Sequence, residues 1–345
     1  SNEALAAGKE KISVDVKIIW DDTKDDTDNS MTEADFTNPN RLYYDKKARM
    51  NYRGSSSLTY SKKNYAFTVG DDSCTLDGTW IKDTKKMFDI NEVNKERDFI
   101  LYAAYSDPTM MRNKLALDLY SDMTGSWNSK SRYVELYVDG EYKGVYIFME
   151  KVKEDEGRVQ VQEDGYIFKF DKTDVWDRTT STEGARSTFV STITGTQGIP
   201  TYGITVDHGF EIAYPEWKEE DFTPEQWTTK WTYLRNRIND FENALKNGNY
   251  TDVNQYIDYE SWADYFIMQE FAKNIDGYRI SVWFTMETAT SPIKMIPLWD
   301  NELAFNIKNI TGKGNTSTTG LMVENSETRT DAFAIPFWWT GAGKT

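Results

Sequence analysis

The sequence predicts an α+β protein of two lobes, a strand-rich first half followed by a helix-rich second half. Three features carry that reading. Runs of β-branched and aromatic residues, several alternating with polar neighbours, dominate from Lys11 to Phe170, as half-buried strands require. Helical spacing takes over at Thr223 and persists to the stretch before Asp276. Between them, Asp171 to Gly203 is rich in Ser, Thr and Gly with little periodicity, the mark of a long excursion where two lobes meet. The expected division is residues 1–10 as a polar linker, 11–170 as the strand-rich lobe, 171–222 as the excursion and 223–345 as the helical lobe.

In the first lobe, Ile12, Val14, Val16 and Ile18 alternate within a strand Lys11–Trp20. The Asp-rich run Asp21–Ser30 lacks the Gly and Glu that an EF-hand loop places at its sixth and twelfth positions, which leaves a solvated acidic hairpin or a weak cation site. Leu42–Tyr52 and Tyr65–Val69 read as strands joined by the loop Gly54 to Ser57, with Lys62 and Lys63 opening the second. Such a loop is either a hairpin turn or a lid whose backbone N–H groups approach phosphate while a lysine neutralises it. Met110–Met123 is a helix, started by Asp107-Pro108 and stopped at Gly125, with Met111, Leu115, Leu119, Ala116 and Tyr120 at helical spacing. Asp139-Gly140 turns a hairpin between Tyr133–Val138 and Gly144–Met149, and Glu150 and Lys151 follow it. Gly165–Phe170 is a further strand.

In the second half, Thr223-Pro224 starts a helix that repeats Trp227, Trp231, Leu234, Ile238, Phe241 and Leu245 and closes at Asn247-Gly248. Tyr256–Lys273 is the next helix, with Trp262, Phe266, Ile267, Glu270 and Phe271 at its spacing. Ile280–Phe284 and Ile293–Pro297 then read as a hairpin. Asp276 precedes its first strand and Asp300 follows its second. Two carboxylates at the ends of neighbouring elements suit a metal ion and a phosphate.

Composition narrows the function. With 40 basic against 56 acidic residues, a net charge of -16, the chain repels nucleic acid and anionic membranes. The lone Cys74 forms no internal disulfide, and the lone His208 excludes Ser-His-Asp, Cys-His and multi-histidine metal chemistry. No stretch is apolar for long enough to serve as a transmembrane segment, and no leader opens the chain, so an export signal is expected outside it. Gly341–Thr345 mimics a phosphate loop, but Trp338 stands where the first glycine belongs. The apolar Phe337-Trp338-Trp339 so near the end implies a chain that continues past Thr345. Twelve Trp and 21 Tyr fit either a large aromatic core or a surface that touches glycans.

Four segments, spread over roughly three quarters of the chain, resemble the CotH kinase family in the family's order. They are RGSSSLTYSKKNYAF from Arg53, DPTMMRNKLALDLYSDMTG from Asp107, RYVELYVDGEYKGVYIFMEKV from Arg132, and NIDGYRIS from Asn274 with IPLWDNELAFN from Ile296. The resemblance implies an atypical, two-lobed protein-kinase-like fold in a bacterial protein at the cell surface or outside the cell. It implies ATP and Mg2+ (or Mn2+) as cofactors and a Ser or Thr of an exported protein as acceptor. Carried over residue by residue, Asp276 is the catalytic carboxylate that orients the attacking hydroxyl, and Asp300 holds the metal with Ser281 and Glu302 beside it. Arg53, Gly54, Ser55, Ser56, Lys62 and Lys63 then meet phosphate. Glu150 falls where such a fold has its adenine-contacting hinge, or is an ordinary strand end.

The match has departures. Ser281 stands where protein kinases have a metal-binding Asn, and Glu302 where the family commonly has Asp. Ile296 replaces a Gly, Asn306-Ile307 replaces Gly-Asn, and Arg112 and Lys114 occupy a helix expected to supply an acid. A degenerate kinase that binds nucleotide without turnover therefore stays open. So do a glycan-cleaving or glycan-binding surface and a structural surface protein that only holds partners.

Overall fold

A computed structural model describes residues 11–19, 37–38, 42–54, 56–70, 97–174, 187–191, 206–218, 220–248, 250–278, 280–305 and 319–324. Asp21–Ser30, Cys74, the His208 side chain, Asn306-Ile307 and everything after Glu324 lie outside what it describes. The architecture is α+β, and the chain divides into two compact units. One comprises residues 1–105 with 130–151, the other 106–129 with 152–345.

The first unit is built on a six-stranded antiparallel sheet. Its strands are β1 (Ile12–Ile19), β2 (Leu42–Arg53), β3 (Asn64–Val69), β4 (Asp98–Tyr102), β5 (Ser131–Val138) and β6 (Glu141–Glu150), in the spatial order β1-β2-β3-β4-β6-β5. Aromatic residues spaced two apart on one face of these strands make the core. Phe148 lies 5.5 Å from Phe67 and 5.1 Å from Phe99, and the Tyr65 ring lies 5.9 Å from Tyr146, tilted against it. Strand β1 is one edge of the sheet, and its alternating Ile12, Val14, Val16 and Ile18 pack onto that cluster while remaining partly exposed. The Asp139-Gly140 turn joins β5 and β6 with both residues at positive φ, the geometry that such a dipeptide supplies.

The second unit holds a four-stranded antiparallel sheet of β7 (Tyr166–Asp174), β8 (Thr188–Phe189), β9 (Val206–Tyr214) and β10 (Val282–Met286), ordered β10-β7-β9-β8. Phe168, Phe170, Phe210 and Phe284 are fully buried and pack across its strands, Phe168 stacked on Phe284 at 5.1 Å and Phe170 edge-on to Phe210 at 5.1 Å. Among the described residues the longer helices of this unit are α1 (Arg112–Thr124), α2 (Pro224–Lys246) and α3 (Tyr259–Ala272), with a single turn of helix at Tyr250–Val253. The Thr223 hydroxyl accepts the Gln226 N–H and the Gln226 side chain accepts the Thr223 N–H, so α2 begins with the reciprocal cap its sequence announces.

Two expectations need correction. The segment read as a loop-rich excursion carries sheet: β7 runs on to Asp174, and β8 and β9 follow. Strand β9 hid behind its short apolar alternation, Phe210 and Ile212, among polar residues. The pair read as a hairpin does not form one, because β10 takes β7 as its ladder partner and meets the 293–294 segment only through the Thr285–Lys294 bridge. Of the residues at helical spacing, the structure buries Ala116, Tyr120 and Trp262. Helix α1 buries Asn113, Ala116, Leu117 and Tyr120 and exposes Met111 and Leu115; α3 buries Trp262, Tyr265, Met268, Gln269 and Ala272 and exposes Ile267 and Phe271. Both helices are apolar on more than one stripe, so the partner they pack against decides which stripe is covered.

Candidate active site

The two predicted acids come together in the second unit. Helix α3 stops at Lys273, which adopts positive φ, and the chain turns through Asn274–Tyr278 with the Gly277 N–H on the Asn274 carbonyl. Asp276 in this turn is 8% exposed. Gly277 packs directly on the buried Gln269 side chain, which occupies the space a Cβ would need. Asp300 and Ser281 both sit at positive φ, 55° and 57°, a conformation that costs a non-glycine residue free energy and persists where surrounding contacts impose it.

Ser281 links Asp300 to Asp171. Its hydroxyl donates to Asp300 Oδ2 at 3.1 Å and lies 3.5 Å from Asp171 Oδ1. Asp171 was not singled out from sequence, where it looked like the start of a polar excursion. It reaches the site because Phe170 pairs with Val282 in the β7–β10 ladder. Lys169, two residues earlier on the same face of β7, bridges Asp171 at 3.3 Å and Glu211 at 3.1 Å. The Lys-x-Asp spacing within a strand was the available signal, since residues two apart share a face. Burial pulls the Lys169 ammonium down, but Asp171 and Glu211 together more than offset it and leave its pKa raised.

Asp300 pays for this company. Burial first, then the charges of Glu302, Asp276 and Asp171, push its carboxyl up to about 8, against a smaller opposing effect of the Ser281 hydrogen bond. Glu302 is held by the Ser106 hydroxyl at 2.9 Å. Asp276, Ser281, Asp300 and Glu302 thus share one acidic site, to which the fold adds Asp171 and Lys169. Among the described residues no three carboxylate, His or Cys side chains are close enough to hold a metal by themselves.

The remaining predicted residues belong to the first unit. Arg53 ends β2 opposite Asn64. Gly54 has a φ of 115° and the Ser57 hydroxyl fills the space of its missing Cβ, so the position requires glycine. Ser55 lies outside the described residues, and Ser56 opens a 3-10 turn, Ser56–Thr59. Lys62 and Lys63 precede β3 and do not open it. The Lys62 ammonium donates to the carbonyls of Ala103 (2.9 Å) and Val145 (2.5 Å) and lies 4.4 Å over the Tyr146 ring; burial lowers its pKa. Lys63 donates to the Leu58 carbonyl at 2.7 Å. Glu150, 5% exposed at the end of β6, accepts the Lys130 N–H with its carboxylate and gives its own N–H to the Lys130 carbonyl.

The chain is 28% identical over 152 residues to inner spore coat protein H of Bacillus subtilis (strain 168), an alignment covering 44% of this chain and 34% of the relative's length. No helix among the described residues is long and apolar enough to cross a membrane. The family model described as CotH kinase protein matches residues 50–339, which takes in both acid-bearing loops, the Arg112 helix and the β2–β3 connection, and the chain belongs to that family.

Proposed function

We propose that the chain is a kinase that transfers the γ-phosphate of ATP to a Ser or Thr hydroxyl of an exported or coat-associated protein, in a two-lobed kinase-like fold. The observation that supports this most is the Asp300 carboxylate, kept in a buried acidic site beside Asp276 and Asp171 and on the Ser281 hydroxyl. The donor set is hard oxygen throughout, which suits Mg2+ or Mn2+. Mg2+ is generally held by one or two carboxylates together with water and substrate phosphates, so a site without a three-carboxylate cage fits it. Asp300 would hold the ion, with Ser281 and Glu302 supporting, and the ion would neutralise phosphate charge. Asp276 would accept the hydrogen bond of the acceptor hydroxyl and orient it. Arg53, Gly54 to Ser56, Lys62, Lys63 and Glu150 would serve nucleotide binding.

One observation favours a second reading, a family member that binds partners without turnover: Lys62 gives its ammonium to backbone carbonyls, and the Glu150 N–H is spent on Lys130. A glycan surface has less support, since among the described residues every Trp is buried or half-buried. The test is transfer of labelled γ-phosphate from ATP to the protein itself and to a generic acceptor, with Mg2+ or Mn2+, for wild type beside Asp276→Ala and Asp300→Ala. Incorporation that both substitutions abolish is expected. A wild type that incorporates nothing and gains no thermal stability from nucleotide would overturn the kinase reading in favour of the second.

A further inference from the structure

Helix α1 carries Arg112, Asn113 and Lys114 where a kinase-like reading looks for an acid, and the structure gives the first two a different task. The Arg112 Nε–H points at the Phe305 carbonyl at 3.4 Å, and the Asn113 side-chain oxygen accepts the Asn301 N–H at 2.8 Å. Asn301 is the residue after Asp300. Its own side-chain oxygen accepts the Asn274 amide at 3.1 Å, and its amide donates to the Trp299 carbonyl at 3.1 Å. Asn274 also reaches the Asp300 carbonyl at 3.4 Å, and its oxygen accepts the Asp276 N–H at 3.3 Å. Asn113, Asn301 and Asn274 are 7%, 0% and 1% exposed. These three buried amides therefore run without a break from α1, through the residue beside Asp300, to the backbone of Asp276.

We propose that Asn113 is a positioning residue, the anchor of an amide relay that sets Asp300 and Asp276 in place relative to each other. The inference rests on the kinase reading for what the two acids do. Its physical basis is that Asp300 is held at positive φ, a conformation that relaxes unless neighbouring bonds enforce it, and that the bond on the next N–H comes from Asn113. Buried amide networks place groups accurately when every member is satisfied, and loosening one member loosens the rest.

The experiment measures Mn2+ affinity by calorimetry and γ-phosphate transfer in parallel, for wild type, Asn113→Ala, Asn274→Ala and the double variant. Asn113→Ala should weaken Mn2+ binding and slow transfer by about 10- to 100-fold, the usual consequence of removing the support of a metal-binding carboxylate. The double variant should be little worse than either single one, because both act through Asn301; independent structural damage would instead multiply. Asn113→Asp, which keeps an acceptor for the Asn301 N–H, should restore Mn2+ affinity to within about threefold by the same reasoning. Asp118→Ala, which removes only the Lys114 ion pair on the same helix, should match wild type. Unchanged Mn2+ binding in folded Asn113→Ala, multiplicative losses, or an equal loss in Asp118→Ala would overturn the relay while leaving the kinase reading intact. A wild type that binds no Mn2+ and transfers no phosphate would overturn both.

Discussion

Substituting Asp300 by Asn should make the metal-free protein more stable, and the gain should grow with pH. In the folded state the Asp300 carboxyl titrates near 8, against 3.8 for the unperturbed group, because burial and the charges of Glu302, Asp276 and Asp171 oppose its ionisation. A raised pKa means that folding favours the protonated form. Below about pH 4 both folded and unfolded chains carry the proton and the substitution should be neutral. As the pH rises from there towards 8 the unfolded chain gives up its proton first, and wild type loses stability relative to Asp300→Asn at about 1.4 kcal/mol per pH unit. A shift of some four units sets a ceiling of roughly 6 kcal/mol. Since the four carboxylates share the repulsion and can relax together, a gain of about 2 to 4 kcal/mol at pH 8.5 is the working figure. Asn keeps an oxygen for the Ser281 hydroxyl, so little packing is lost. The assay is urea unfolding of both proteins in chelator from pH 4 to 9, followed by a probe in the second unit. Saturating Mg2+ should then stabilise wild type selectively. An Asp300→Asn protein no more stable than wild type at pH 8.5, or a difference that does not vary with pH, would refute the electrostatic account.

Other consequences follow from the same contacts. Lys169→Met should destabilise the second unit by about 3 kcal/mol near pH 8 by leaving Asp171 and Glu211 uncompensated, and Asp171→Asn in the same chain should recover part of the loss in urea unfolding. Gly277→Ala should cost about 1 to 3 kcal/mol through overlap with the Gln269 side chain; Gln269→Ala added to it should raise the melting temperature relative to Gly277→Ala alone. Lys62→Ala should cost the first unit about 2 kcal/mol by stripping a charged donor from two carbonyls. If Lys62 also serves nucleotide, ATP affinity in equilibrium binding should fall for Lys62→Ala and stay near wild type for Lys63→Ala.

Much of this protein was legible in the chain itself. Period-two runs marked β1, β2, β3, β5 and β6, the Thr223-Pro224 cap marked α2, and the Asp139-Gly140 dipeptide marked the β5–β6 turn, because each rests on local backbone geometry or on one element's own pattern. That Asp276 and Asp300 fall at the ends of apolar elements was legible too; their role is a proposal. Tertiary structure decided the rest. Which stripe of α1 and α3 is buried depends on the partner, since both helices are apolar on more than one side. That β10 pairs with β7, more than a hundred residues earlier, and not with its neighbour, is a long-range choice that no local pattern encodes. The same pairing draws Asp171 and Lys169 to the Asp300 site, and tertiary structure places Arg112 and Asn113 of α1 on the backbone of Phe305 and Asn301. Carboxylates reveal their role only when folding sets their charges side by side in a buried place, and that proximity belongs to the three-dimensional structure alone.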